Sequence, residues 1–441
     1  MKTYIIGLLL TMTIAPTMAQ QNYTLKKCID YSLENHLSNQ VVANNVEIAN
    51  QQGREALAGY LPQVNGSASF DYNIKRQTNI IPAGAFSPTE TRIQFGQPFV
   101  TNPAVQVDQV IYDQSLIYGI KANAPNKEIA ALSVKQNQED LIYNTTAAYI
   151  EAVIYAEKIR ILAANEEKYQ ELLSIKKLQF EKGVATSVDY NRILVAYKNI
   201  IAEKTLAQTN RELAMNKLKN AMGMSLDENL IISDSLNYNL LTPDNAAMNF
   251  DVTNLYSYRI NAQKIRLQEI DVQRKRAAYY PTLSGYARYG AQAYSATFSN
   301  AFDRWFDYST LGVKLNVPIF SGFRRESQLS ISKLNLDNAK QNFIINNNNL
   351  QLQYQNANTQ LQKSYNDVNN NKENLALAEE IFSVTNLEYQ KGTVTITDLL
   401  NAEYSLKEAQ NNYITSVLNL LASTLNNEKA KGTLINFAQT L

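Results

Sequence analysis

The sequence predicts a mainly α-helical chain with an internal two-fold repeat and four short β-strands of membrane-crossing length. Three observations carry that prediction: a motif that occurs twice, two very long stretches almost free of helix breakers, and four segments that alternate apolar with polar residues. The motif, aromatic-x-Lys-Gly-x-x-Thr-x-x-Asp, occupies 180–189 and again 389–398, an offset of 209. Tyr60-Leu61-Pro62 and Tyr279-Tyr280-Pro281 form a second matched pair, and Ile111-Tyr112 and Ile319-Phe320 a third, all in the same order. A repeat of about two hundred residues is too long for a solenoid unit and has the size of half a large domain.

Taken from the N-terminus, 1–19 reads as a secretory signal peptide, with Lys2, an apolar run over 4–10 and the small-residue exit Thr17-Met18-Ala19. The mature chain is then expected to begin at Gln20. Cys28 is the single cysteine and follows Lys26 and Lys27, which disfavours both a disulfide and a lipid anchor, so it reads as a buried or idle thiol. His36 is the single histidine, which with one cysteine removes the usual transition-metal sites and histidine-based catalysis. Lys and Arg number 41 against 40 Asp and Glu, so no basic footprint argues for nucleic acid. After the signal no apolar run approaches the roughly eighteen residues of a membrane helix, although a β-barrel leaves little trace in hydropathy.

Repeat 1 is expected over 20–222, with a β-hairpin at about 63–112. From 63 to 74 the even positions Val64, Gly66, Ala68, Phe70, Tyr72 and Ile74 face away from Gln63, Asn65, Ser67, Ser69, Asp71 and Asn73. A weaker alternation covers 104–111. Repeat 2 is expected over 250–427, with its hairpin at about 282–320: Leu283, Gly285, Ala287 and Tyr289 alternate with Thr282, Ser284 and Arg288, and Leu311, Val313, Leu315 and Val317 with Thr310, Lys314 and Asn316. Strands of about ten residues cross a bilayer at a tilt, and the same pattern also suits a half-buried soluble sheet. The first hairpin is the longer, so the loop over 75–98 is expected to be the larger one.

Helical rods are expected over about 115–182 and 324–391, where Pro125 is the only proline and Gly119 the only interior glycine. Nearly seventy residues at 1.5 Å each make a rod of roughly 100 Å. Each rod is followed by a return helix, over 187 to about 222 and 396 to about 426. In the second, Leu399, Ala402, Leu406, Ala409, Tyr413, Ser416 and Leu420 form a coiled-coil seam, with Lys407, Gln410, Asn411 and Asn412 away from it. The repeated motif falls where each rod turns back. Gly183 and Gly392 suit the left-handed residue that ends a helix, and Thr186 and Thr395 suit N-caps boxed by Asp189 and Asp398. A linker is expected over 223–249 and a less regular tail over 428–441.

Four strands cannot close a barrel, because an open edge leaves backbone groups unpaired in lipid. Eight strands would be filled by side chains, whereas twelve from three chains would leave a bore. The expected object is a trimeric channel-tunnel: four strands per protomer in a shared 12-stranded membrane barrel, joined to a long α-helical barrel.

This layout resembles the TolC family of outer-membrane efflux proteins across the mature chain. The matching residues are Leu33-Glu34-Asn35, Tyr60-Leu61-Pro62, Tyr280-Pro281, Met222-Gly223, Pro318-Ile319-Phe320-Ser321-Gly322 and both tip motifs. The resemblance implies a homotrimer in outer-membrane lipid that works without chemistry or cofactor. It also implies a periplasmic membrane-fusion adaptor at the tips and, through it, an inner-membrane pump of RND, ABC or MFS type, in efflux or type I secretion. It assigns adaptor docking to Gly183, Val184, Thr186, Gly392, Thr393 and Thr395. A closed-tip latch joining an acid, an aromatic and an arginine would place Asp189 and Tyr389 in the gate, with Val394 where the arginine stands and Lys391 or Arg192 as substitutes. Of two entrance aspartate rings, Asp398 matches one and Asn401 replaces the other. The plain alternative for Asp189 and Asp398 is helix capping alone. For the whole chain, the alternative is a structural or adhesive coiled-coil surface protein without transport activity, which would explain the rods but not the alternating hairpins. Nothing in the sequence suggests an enzyme, since no nucleophile motif or phosphate loop accompanies the tip carboxylates.

Overall fold

The computed structural model describes residues 22–84, 88–233 and 250–440. The signal peptide expected over 1–19 and most of the linker expected over 223–249 lie outside them. The first half of the chain contains β1 (Asn22–Tyr23), α1 (Leu25–Asn35), α2 (Leu37–Ala58), β2 (Gln63–Tyr72), β3 (Thr78–Ile81), β4 (Thr91–Gln94), β5 (Phe99–Tyr112), α3 (Gln114–Lys121), α4 (Asn123–Glu181), α5 (Ser187–Met222) and β6 (Ile231–Ile232). There follow α6 (Tyr256–Ala277), β7 (Thr282–Ser295), β8 (Trp305–Asn316), α7 (Arg324–Gln390), α8 (Ile396–Lys431) and α9 (Leu434–Gln439). Among the described residues no helix is long and apolar enough to cross a membrane. The chain divides into two compact units, one of Ala43–Leu132 and Tyr258–Asn346, the other of Met1–Val42, Ser133–Ser257 and Asn347–Leu441.

The first of these units holds an antiparallel sheet of order β2-β5-β7-β8. Its register brings the alternation of all four strands into phase. Val64 pairs with Val107, Val107 with Ala287 and Ala287 with Leu311, while on the other face Asn65, Gln106, Arg288 and Thr310 line up. One face is therefore apolar and the other polar. Most of the apolar face is exposed, Leu311 to 86% and Val313 to 68%, while at the loop end Phe298 and Phe302 pack on Phe70 and Ala293 is buried. Among the described residues β2 and β8 are each paired on one side only.

Two strands differ from the expected limits. The fourth covers Trp305–Asn316 rather than 310–319, because Trp305 already pairs with Ala293 and the ladder stops short of Pro318, which has no N–H to give. The weakly patterned second strand is a fourteen-residue central strand, β5. Its alternation is interrupted at Pro103, and the β5·β7 ladder skips Asn102 and Pro103, so the proline sits where no N–H is required. The 75–98 loop contains a further short hairpin, β3 with β4, too brief to register as a pattern.

The first rod is broken where the second is not. α3 ends at Lys121 and α4 begins at Asn123, with Pro125 lacking the N–H that would reach the Lys121 carbonyl and its ring crowding that oxygen. α7 has no proline and runs for 67 residues without interruption, roughly 100 Å.

In the second unit, α1 and β1 pack against α4, α5 and β6 around Cys28, Tyr149, Leu218 and Met222. Cys28 is fully buried, and burial pushes its thiol up to about 12, which leaves it unreactive. The tail expected to be irregular is ordered instead. Gly432, at φ 75°, ends α8 with Thr433 N–H donating to the Glu428 carbonyl, and α9 folds back. Leu434 is then fully buried with Ile29, Ile142, Leu425 and Ala438. Six residues are too few to display a helical period in sequence.

Gly223 ends α5 in the left-handed conformation at φ 73°, directly against the end of α1. A Cβ there would lie 2.8 Å from the His36 Cα, a backbone atom that cannot step aside. Gly223→Ala is expected to lower the unfolding midpoint of the detergent-solubilised protein, by a free energy above about 1 kcal/mol, since strain and overlap add. Gly183→Ala, left-handed but in open space, serves as the milder control.

Candidate functional site at the helical tips

Both copies of the repeated motif form helix reversals of the same construction. α4 runs out at Glu181, Gly183 adopts φ 74°, and Val184 N–H closes the turn on the Gln179 carbonyl at 2.8 Å. α7 runs out at Gln390, Gly392 adopts φ 77°, and Thr393 N–H closes on the Glu388 carbonyl at 3.0 Å. Only glycine takes that backbone region without strain, which is why the motif is built around it. A Cβ on either glycine would meet nothing within 4 Å. Val184 is 77% exposed and Thr393 is exposed, so both tips present bare surface.

The caps are not equivalent. Thr395 Oγ1 accepts from Asp398 N–H at 3.3 Å, and the Asp398 carboxylate accepts in return from Thr395 N–H at 3.0 Å and from its hydroxyl at 2.6 Å, a complete capping box. These bonds, the hydroxyl's first, hold the Asp398 carboxyl below the usual carboxylate range. Thr186 Oγ1 accepts from Asp189 N–H at 3.1 Å, but the Asp189 carboxylate takes the Thr186 hydroxyl at 2.8 Å rather than its backbone.

The two tips touch through Arg192, expected as a substitute in the latch, on an acceptor that the sequence did not single out. Arg192, on the first turns of α5, donates to the Thr397 hydroxyl of α8 at 2.7 Å. Asp189 and Tyr389 are not joined within the chain: the Tyr389 hydroxyl is buried without a hydrogen-bond partner, and its ring lies under the Lys176 ammonium at 4.9 Å. Behind the tips one core cluster draws on four helices, with Tyr169 of α4, Ile193 and Ile200 of α5, Phe382 of α7 and Ile396 and Leu399 of α8. The expected seam of α8 is the face that is buried, at Leu399, Ala402, Leu406, Ser416 and Leu420. Lys407, expected on the solvated face, is partly buried and paired with Glu203 of α5.

Between α5 and α8 runs a groove of about 630 Å³ lined by Val188, Val195, Leu400 and the exposed ring of Tyr404, with Arg192 and Thr397 at its tip end. Glu403 lies in its wall. Burial pushes the Glu403 carboxyl up to about 7, against the opposing pull of its hydrogen bond with Tyr169 and the charges of Lys407 and Lys168. Among the described residues no cluster of histidine, cysteine, aspartate or glutamate could hold a metal.

With this geometry in place, a family model described as "Outer membrane efflux protein" matches residues 28–224 and 259–429. The chain belongs to the outer membrane efflux protein family. It is 21% identical over 391 residues to outer membrane protein TolC of Escherichia coli (strain K12), covering 86% of this chain and 76% of that protein. It is 22% identical over 413 residues to outer membrane efflux protein BepC of Brucella suis biovar 1 (strain 1330), covering 92% and 84%. Its fold is similar to that of the outer membrane protein VceC from Vibrio cholerae, with a TM-score of 0.74 and 17% identity over 92% of this chain and 96% of that one. The chain is an outer-membrane exit duct, and its family is one of channel proteins. The adhesive coiled-coil alternative receives no support from these relatives.

A raised carboxyl fixes a pH dependence. Glu403 favours the folded state when protonated, so its contribution is fully present below about 4.5 and is lost as pH rises through about 7. The unfolding midpoint of the wild-type protein is expected to fall between pH 5 and pH 8, and Glu403→Gln to flatten that fall. A residual slope is expected from Glu139, which burial also pushes up to about 7. An unchanged slope in Glu403→Gln would show that the carboxyl is solvated.

Proposed function

We propose that three copies of this chain share one twelve-stranded barrel in the outer membrane, continued by a helical periplasmic tube, and that a membrane-fusion adaptor docks on the tips. The chain's two halves, 20–222 and 250–427, would act as an internal two-fold repeat that gives six similar hairpins around the ring. The observation that carries this reading is the four-stranded sheet, which leaves β2 and β8 paired on one side only and its apolar face exposed. Edge N–H and C=O groups are not tolerated in lipid, and joining β8 of one copy to β2 of the next satisfies them all. The 75–98 loop would lie on the extracellular side. Through the adaptor the tube would meet an inner-membrane pump of RND, ABC or MFS type, in efflux or type I secretion. A detergent-solubilised mass and crosslinking of outer-membrane fractions should give three copies, whereas a stable monomer retaining its full β-content would refute the shared barrel.

The bare tips suit the docking role. Gly183, Val184, Gly392 and Thr393 form the exposed ends, with Thr186 and Thr395 holding the backbone that presents them. Val184→Glu and Thr393→Glu are expected to abolish export while leaving folded trimer in the membrane, as read by an export assay beside heat-modified gel mobility.

Asp398 would provide the charged entrance ring. Three such carboxylates at a narrow mouth attract cations and repel anions. Because its cap bonds keep it ionised, the cation preference should persist to more acid pH than for an unbonded carboxylate. Asp398→Asn is expected to reduce cation selectivity in planar bilayers severalfold. With Asn401 neutral, one ring acts alone. For the gate, Asp189 and Tyr389 are proposed to act when the tips rearrange, since the Tyr389 hydroxyl lacks an acceptor in the present packing. Loss of either, in Asp189→Asn or Tyr389→Phe, should change open probability rather than conductance.

A further inference from the structure

We propose that two tyrosine–glycine pairs on the polar face of the sheet set the width of the barrel's bore, a proposal that rests on the shared-barrel reading with that face inward. In the β7·β8 ladder Gly290 pairs with Tyr308 and Tyr286 with Gly312, so each glycine faces a tyrosine on the neighbouring strand. Both pairs occupy the polar face, in phase with Gln106, Arg288 and Thr310. Neither glycine has a positive φ, so backbone conformation is not what requires it. Space is. A Cβ on Gly290 would lie 2.7 Å from the Tyr308 Oη and 2.9 Å from the Pro103 carbonyl oxygen, and one on Gly312 would lie 2.6 Å from the Tyr286 ring.

Each ring therefore lies over its glycine, along the sheet instead of standing away from it. Tyr308 is held down at its far end as well: its hydroxyl crosses β7 and donates to Asn102 Oδ1 on β5 at 3.0 Å. The Arg288 guanidinium rests 5.6 Å from the same ring centroid, which keeps that charge near the wall. Glycine in a strand interior weakens the strand, and a ring laid across it restores contact. In a barrel of three copies six large side chains would be kept against the wall, and a wide, low-relief bore results. A duct that passes bulky solutes needs that clearance.

The test is the largest neutral polyethylene glycol that enters from the barrel side of single trimers in planar bilayers, read from the drop in conductance over a graded series. Gly290→Ala and Gly312→Ala are expected to lower that size by at least one grade, and Gly290→Ala combined with Tyr308→Ala to restore it. Should the glycine variants fail to assemble, Tyr308→Ala alone decides, because removing a ring that lies flat leaves the cut-off within one grade. An unchanged cut-off in assembled Gly290→Ala and Gly312→Ala, or a clear increase in Tyr308→Ala, overturns the proposal. The orientation is checked separately with Gln106→Cys and Val105→Cys, since the native Cys28 is buried and silent. A membrane-impermeant thiol reagent should label the first and spare the second. The reverse pattern overturns the shared-barrel reading and the bore proposal with it, whereas correct labelling with an unchanged cut-off overturns the bore proposal alone.

Discussion

The two helical hairpins depend on reversing very long helices within five residues each, 182–186 and 391–395. α4 and α7 run for 59 and 67 residues, and helices in folded proteins draw most of their stability from lateral packing of one face. Gly183 and Gly392, both left-handed, turn each helix back on itself so that α5 and α8 lie where that packing can occur. Tyr169, Ile193, Ile200, Ile396 and Leu399 then close a core immediately behind the turns. Further along, Ile150 and Ile154 of α4 meet Ile414, Val417 and Leu421 of α8. The same glycines leave the outermost surface small and bare, so the device that stabilises the hairpin also shapes what a partner would meet.

Polar groups within this packing are placed unevenly, and the unevenness bears on movement. Asp398 is locked into a full capping box, whereas Asp189 holds only a hydroxyl and its own N–H to Thr186. Arg192 reaches across to Thr397, a single neutral acceptor rather than a carboxylate. Such a bond contributes about 1 kcal/mol when exposed, so it is a weak fastening between the hairpins. Glu403 and Tyr169, by contrast, are hydrogen-bonded in a partly desolvated setting, where burial raises the carboxyl. The tips are thus fastened by weak bonds at the end and by a packed core one level behind.

The sheet obeys a different constraint. Its register puts Val64, Val107, Ala287 and Leu311 on one face, and most of that face is left exposed among the described residues. A soluble sheet would bury it, so the exposure agrees with a chain whose family resides in the outer membrane. On the opposite face the bulk of Tyr286 and Tyr308 is accommodated by glycines one strand away, a relation invisible unless the register is known.

Local rules account for what the sequence alone determined. The α5 limits, the left-handed Gly183 and Gly392, the Thr186 and Thr395 caps and the phase of the β2 and β7 alternation all follow from neighbours within a few positions. The buried seam of α8 follows for the same reason, since a helical period is read from spacing. Tertiary structure decided what depends on distant partners. The fold-back of α9 onto Ile29 and Ile142, the Gly223 approach to His36, the Arg192 bridge and the Glu403–Tyr169 contact join residues that no spacing relates. The extra length of β5 and β8 was likewise settled by the strands beside them, because pairing across a ladder can carry a strand through Pro103 and out to Trp305 where alternation along the chain has already failed.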